Sequence, residues 1–507
     1  MSLEVEMRQI TKRFPGVIAD DRVDLEVRPG EIHALMGENG AGKSILMSIL
    51  AGLNQPDEGE IYIRGEKVEF TSPLDAIDTG IGMVFQAFKL FPSMTIAENV
   101  IFGEEPRRGL RVDTSAATTA VTEISRRYGL AVDPKARVDS VPVGVLQRVE
   151  IIKALYRRAR VLVLDEPTAV LTPQETERLF EILRALREDG HTIIFITHKM
   201  REVMAISDRV TVLRDGQVAA KLITSESSAE EITHHMTGRN VDLTATTASH
   251  PPGETVLQVQ QLTVPGEGDQ PLVDAVDLSL REGEIVGVAG VAGNGQRELA
   301  EAIMGLRSIS SGNVHLYGND LTTAQTRTRR EAGLAYIPED RHGVGTATQA
   351  DGAANLSMGH HRSAPLLQHS LLRRSRMVAH ARRLIERFAI KISSPDTLVG
   401  TLSGGNLQKV VVARELDHQT PVLIAEQPTR GVDIGAVESI HGELTRYRDR
   451  GGAILLISAE LSEIFSLSDW IVVMFEGRIV AQMEASEATE AELGLLMAGS
   501  NVRQAGA

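Results

Sequence analysis

The segment GENGAGKS at 37–44 has the order G-x-x-x-x-G-K-S, and the chemistry such an order serves is phosphate binding. Its glycines let the backbone N–H groups of Gly37, Glu38, Asn39, Gly40, Ala41 and Gly42 turn inward around phosphate oxygens, and a helix starting there adds the positive end of its dipole. Lys43 is then placed to reach the β- and γ-phosphates of a nucleotide, with the Ser44 hydroxyl on Mg²⁺. A functionless glycine-rich turn is the competing reading. Against it stand all eight positions and both flanks, an apolar strand-like run at 32–36 and a helical run at 45–53.

VLVLDEPT at 161–168 is an apolar run that ends in two adjacent carboxylates. A buried strand of that kind delivers Asp165 to a metal shell, and Glu166 can then point at an attacking water. A lone Asp-Glu pair reads as a solvated turn; this one follows the phosphate loop by roughly 120 residues and precedes Pro-Thr, which is more specific. Gln86 in GMVFQ and His198 in FITHK each end a β-rich run. Either alone is as readily structural, and their weight comes from the set.

These groups need elements to hold them. β-rich runs at 161–165, 192–197 and 209–216 alternate with helical patterns such as 174–187, which predicts an α/β fold with parallel strands. Residues 113–130 and 371–390 read instead as amphipathic helices; in the second, Met377, Ala381, Leu384, Ile385 and Phe388 recur at helical spacing. The whole pattern occurs twice. VDLEVRPGEIHALMGENGAG at 23–42 is echoed at 276–295 with an offset of 253, which becomes 261 from Gln147 and Gln408 onward. The expected organisation is a first domain at 1–238 with a helical insertion at about 88–155, a Thr/Ala/Pro-rich linker at 239–254, a second domain at 255–500 with an insertion at about 340–416, and a tail at 501–507.

Composition narrows the function. The 507 residues contain no cysteine, so disulfides and Cys-containing metal sites are excluded. A net charge of −15 argues against nucleic-acid binding by phosphate neutralisation. The start, MSLEVEMRQI, does not read as a signal peptide, and no run approaches the roughly 18 apolar residues of a membrane span.

The ordered set resembles the ATP-binding cassette ATPases of membrane transporters, over nearly the whole chain twice. The resemblance implies a duplicated P-loop NTPase cassette that binds ATP and Mg²⁺, with Ser44, Gln86 and Asp165 toward the metal and Glu166, His198 and Gln86 in catalysis. It implies an adenine-stacking aromatic upstream of the loop, for which Phe14 is the candidate; a core aromatic is the alternative. It also implies a signature loop, plain in the second copy as LSGGN at 402–406, whose Ser403, Gly404 and Gly405 would grip the γ-phosphate held by the other copy's loop.

Measured against that pattern, the second copy is broken. Gln296 and Arg297 replace Lys43 and Ser44, Glu426 and Gln427 replace Asp165 and Glu166, and Ala459 replaces His198. In the first copy the signature is damaged instead: VPVGVLQR at 141–148 puts Pro142 and Val143 where Ser and Gly belong. If the copies pair head to tail as the family does, every loss falls on one composite site and none on the other.

With no membrane span, the resemblance implies two separate permeases and an extracytoplasmic solute-binding protein, with this chain at the cytoplasmic face of the membrane. The nonstandard signature and AEQPTRGVDIGA at 425–436 favour the nucleoside branch of importers over the simple-sugar branch, ribose or galactose. A tandem cassette acting on ribosomes is a weaker rival, given one intact site and a short linker. Three further features are expected to be structural: the arginines at 373, 374, 376, 382, 383 and 387 as a solvated face, the His pairs 234–235 and 360–361 without metal-site spacing, and EASEATEAEL at 484–493 as a helix.

Overall fold

The computed structural model describes residues 3–14, 17–38, 40–109, 111–168, 171–197, 199–238, 251–266, 270–291, 293–360, 366–368, 371–432, 434–497 and 499. The chain forms two compact units, Met1–Val241 and Asp242–Ala507. Of the expected linker, 239–250 lie outside the described residues, as does the tail at 501–507.

In the first unit the uninterrupted apolar runs become strands that are buried along their whole length: Ile32–Gly37, Val161–Asp165 and Thr192–Ile196. Only a parallel sheet covered on both faces suits such sequences. The sheet has six strands in the order Gln217–Ile223, Arg209–Arg214, Ile32–Gly37, Thr192–Ile196, Val161–Asp165 and Ile81–Val84; all neighbours are parallel except the first pair. Register decides where the chemistry lands. Ile196 lies beside Asp165 and Leu35, Leu213 beside Gly37, and Val84 beside Leu164, so the carboxyl ends share one edge. That edge is where open α/β sheets bind ligands.

The second unit repeats this sheet as Leu334–Ile337, Val422–Glu426, Ala453–Ile457, Ile285–Ala289, Trp470–Phe475 and Arg478–Glu484. Each unit also carries a four-stranded antiparallel sheet that the sequence reading did not anticipate. In the first it orders Val17–Val27, Val5–Phe14, Glu58–Ile63 and Glu66–Val68. Its inward side chains, among them Val5, Met7, Ile10, Leu25 and Ile61, pack in one core with Leu46, Ile49 and Leu50 of the helix Lys43–Leu50.

The helical insertions contain Ile96–Ile101, Thr114–Tyr128 and Val143–Tyr156 in the first unit, and Gly352–Ser357, Arg374–Arg387 and Gly404–Asp417 in the second. Ala381, Leu384 and Phe388 are buried as the helical spacing predicts, with Met377 and Ile385 packed partly against them. The helix starts at Arg374 because Leu371–Leu372 pair with Leu367–Gln368. The segment at 484–493 departs further from expectation. Glu484 ends a strand hydrogen-bonded to Trp470–Phe475, a turn and loop follow at 485–489, and the helix runs from Glu490 to Met497. The six arginines of the cluster are exposed, as expected, and three of them pair with carboxylates: Arg374 with Asp351 and Asp396, Arg383 with Asp417, and Arg387 with Glu443. Among the described residues no helix is long and apolar enough to cross a membrane.

One buried asparagine closes each insertion. Asn355 accepts from the Ala347 N–H and donates to the carbonyls of Ala347, Ala350 and Asp351; Asn99 does the same work between Phe91 and Thr95. Truncating a side chain with several buried partners strands each of them. Asn355→Ala is expected to lower the stability of the second unit by about 2–4 kcal/mol, read as a shift of its denaturation midpoint; an unchanged midpoint contradicts this account.

Candidate functional site

The phosphate loop leaves the strand Ile32–Gly37 and enters the helix Lys43–Leu50. Gly40 and Gly42 have φ of 85° and 101°, the left-handed region that side chains avoid. Gly42 is doubly constrained, because a Cβ there would meet Asp20 Oδ1 at 2.2 Å and the Ala19 carbonyl at 2.7 Å. Lys43 is buried, and its ammonium donates to the carbonyls of Gly37 (2.7 Å) and Glu38 (3.0 Å). Among the expected loop residues, Asn39 lies outside the described ones.

Asp165 ends its buried strand beside the loop and accepts a hydrogen bond from the Ser44 side chain. Burial, reinforced by the Glu166 charge, raises the Asp165 pKa against the pull of Ser44 and Lys43. Burial likewise lowers that of Lys43, opposed by Glu166, Asp165 and Glu38. Glu166 takes φ of 46°, a strained value for a residue with a side chain, and its N–H donates to Ile196 O at 3.0 Å. Gln86 Nε2 donates to Glu166 Oε2 at 2.8 Å, so Gln86 and Glu166, 80 residues apart, are joined directly. His198 lies outside the described residues. Behind its neighbour Thr197, the buried Glu202 accepts from the hydroxyls of Thr168 (2.5 Å) and Thr197 (2.9 Å).

Ser44, Asp165 and the amide oxygen of Gln86 are hard oxygen donors beside the Glu166 carboxylate and a lysine, a set that fits Mg²⁺ rather than a softer ion. Phe14 ends the strand Val5–Phe14 and is 39% exposed, beside Val17 and Ile18 at 58% and 52%. An apolar patch of that kind at a strand end is open to a flat ring; it is not a core aromatic.

The second copy keeps the backbone and fills it differently. Gln427 has φ of 47° and its N–H donates to Ile457 O at 2.7 Å, matching Glu166, while its amide oxygen accepts from the Ala459 N–H. Gln296 turns its amide onto Val291 O at 3.1 Å, and Arg297 pairs with Glu301. Glu426 is taken by the Tyr336 hydroxyl at 2.6 Å and by the Glu339 N–H at 3.3 Å. In both units these positions make local hydrogen bonds; what differs is the groups, since a neutral amide, a guanidinium and a second amide stand in the second unit where the first has Lys43, Ser44 and Glu166.

The signature loops show the reverse contrast. Ser403 and Pro142 cap their helices with nearly the same backbone, φ −62° and −60°. Proline fits because its ring fixes φ near that value, so the first copy keeps the turn and loses the hydroxyl. The Ser403 hydroxyl accepts from Asn406 Nδ2 at 2.9 Å. A Cβ at Gly404 would meet Arg341 Nη2 at 2.6 Å, which places a guanidinium beside this loop. The sequence reading did not single out Arg341, because no spacing connects it to position 404.

Asp20 was also missed. It is fully buried beneath the phosphate loop, with neither carboxylate oxygen hydrogen-bonded, and burial pushes its pKa up to about 7. The second copy has the buried Val273 at the equivalent position, 253 residues on. A folded-state pKa above the unfolded value near 3.9 means that stability present below pH ~4 is lost as the pH rises through about 7. Asp20→Asn is therefore expected to stabilise the first unit by roughly 1–3 kcal/mol above pH 7 and little near pH 4, read by denaturation at both pH values. An advantage that does not grow with pH contradicts this assignment.

The sequence pattern described as "ABC transporter" matches residues 21–169 and 273–430. The chain is 46% identical over 506 residues to the guanosine import ATP-binding protein NupO of Bacillus subtilis, covering 100% of this chain and 99% of that one. It is 42% identical to the nucleoside import ATP-binding protein NupA of Lactococcus lactis subsp. cremoris, covering 99% of each. It is 43% identical to the glucose import ATP-binding protein TsgD13 of Haloferax volcanii, covering 98% and 96%. With a phosphate loop, paired carboxylates and duplicated cassette in place, the chain belongs to the ABC transporter family, as a tandem ATP-binding cassette ATPase.

Proposed function

We propose that the chain energises the import of nucleosides through two separate permeases at the cytoplasmic face of the membrane, with an extracytoplasmic protein delivering the solute. The observation that carries this reading is the unequal chemistry of the two copies: Lys43, Ser44, Gln86, Asp165 and Glu166 converge in the first, whereas the second has an amide at Gln296, a guanidinium at Arg297 and an amide at Gln427 in place of the ammonium, the hydroxyl and the second carboxylate. The nucleoside branch is favoured because NupO and NupA are nucleoside importers by name; TsgD13, a glucose importer, keeps the sugar reading as the alternative.

In this reading ATP lies on the loop 37–44 with its base against Phe14, and Lys43 exchanges the Gly37 and Glu38 carbonyls for phosphate oxygens. Bound Mg²⁺, held by Ser44, Asp165 and Gln86, supplies charge to offset that of the phosphates. Glu166 orients and polarises a water for attack on the γ-phosphorus, and the bond to the ADP oxygen breaks as the P–O bond to water forms. His198 holds the γ-phosphate geometry. Ser403, Gly404 and Gly405 complete the cage, a role the first copy's Pro142 cannot match for want of a hydroxyl. Gln86, bonded to Glu166 at the root of the helical insertion, couples the state of the site to the permease. Preferential binding of ATP to one conformation is what lets hydrolysis do work on a partner.

Glu166→Gln is expected to lower phosphate release by about a hundredfold or more, while restoring Gln296→Lys and Arg297→Ser together in the second copy leaves turnover near wild type; a doubling by that repair contradicts the one-site reading. In the complex reconstituted with its permeases and binding protein, nucleosides are expected to stimulate ATP turnover severalfold. Stimulation by a pentose or hexose and not by nucleosides overturns the solute assignment.

A further inference from the structure

Sequence spacing gave His360 no metal-binding partners, but the fold supplies them. His360 follows the helix Gly352–Ser357, His380 lies on Arg374–Arg387, and Asp417 is the last residue of Gly404–Asp417. One ligand atom from each falls within 4.8 Å of the others. His360 Nε2 and His380 Nε2 are both 3.9 Å from the same oxygen, Asp417 Oδ2. That is too long for hydrogen bonds and close to the separation of two ligands that share an ion.

The triangle can be tested against bond lengths. With two sides of 3.9 Å and a third of at most 4.8 Å, the point equidistant from the three donors lies at most about 2.5 Å from each, against roughly 2.0–2.2 Å for zinc to imidazole nitrogen or carboxylate oxygen. A few tenths of an ångström of side-chain rotation closes the difference. The surroundings are already ordered: the His418 ring stacks on His360 at 3.6 Å with 2° between planes, and Gly359 leaves the space that His418 Nε2 occupies, since a Cβ there would sit 2.5 Å away.

Two contacts must yield. His380 Nε2 lies 3.2 Å from the Leu356 carbonyl, and Arg383 Nη2 reaches His380 Nδ1 (3.3 Å) and both Asp417 oxygens (3.1 and 3.0 Å). Arg383 is 63% exposed, so the guanidinium can swing into water, while the largely buried Asp417 carboxylate passes from one cation to the other. The His380 proton then moves to Nδ1, which frees Nε2 without net proton release. Arg383 occupies in the meantime the electrostatic position that a cation would take. Among the described residues the first copy has no such group: the helix Thr114–Tyr128 has no histidine, and Tyr156 stands where Asp417 does.

We propose that His360, His380 and Asp417 form a site for a borderline divalent cation, Zn²⁺, which ties together the three helices of the second insertion. The donor set, two imidazoles and one carboxylate, suits zinc over the hard Mg²⁺ of the nucleotide site and leaves a fourth position for water.

The test titrates the full chain, free of nucleotide, with Zn²⁺ against a chromophoric chelator. Expected is one tight equivalent per chain, weakened at least about tenfold by His380→Gln and by Asp417→Asn and retained in Asp165→Asn, which separates it from the nucleotide site. Equal affinity in wild type, His380→Gln and Asp417→Asn overturns the proposal. Should a variant fail to fold, zinc-edge X-ray absorption of the loaded wild-type chain decides: two imidazoles with only nitrogen and oxygen donors support the site, and fewer than two refute it.

Discussion

The structure depends on buried parallel strands that end in register. Ile32–Gly37, Val161–Asp165 and Thr192–Ile196 carry no outward polar face, so they can only lie inside a doubly covered sheet, and their pairing brings Gly37, Asp165 and Ile196 to one edge. Everything reactive hangs from that edge. Glu166 is held at its strained φ by the hydrogen bond to Ile196 O, and a one-residue slip would turn Asp165 away from Ser44. The loop residues and carboxylates are distant in sequence and adjacent only because the sheet is.

The duplication supplies an internal control for that dependence. Gln427 repeats the strained backbone of Glu166, and Ser403 and Pro142 share one capping geometry, so the scaffold persists where the chemistry does not. Side chains in the second copy have been reassigned to local bonds: Glu426 to Tyr336, Arg297 to Glu301, Gln296 to Val291 O. A cassette with these substitutions still has to hold its shape. Buried polar groups in it must find partners, whereas in the first copy Lys43 and the carboxylates keep arrangements that a ligand can exchange.

What the sequence made legible follows from the reach of each signal. A contiguous loop such as 37–44, a strand that ends in Asp165-Glu166, and a 253-residue repeat can be read because spacing along the chain carries the information. Asp20, Arg341 and the grouping of His360, His380 and Asp417 could not be read, since each acquires its neighbours only on folding. The antiparallel sheet went unseen for a related reason: its strands are half-exposed and interrupted by register shifts, which blurs their alternation. The helix expected at 484–493 starts only at Glu490, because a turn at 485–487 separates it from the strand that ends at Glu484.

One polypeptide with two cassettes is thus proposed to carry one working hydrolytic site. The most direct measurement is a rapid-quench count of phosphate formed per chain in the first turnover of the assembled complex with ATP and Mg²⁺. The account predicts a burst of one phosphate per chain; two per chain would contradict it.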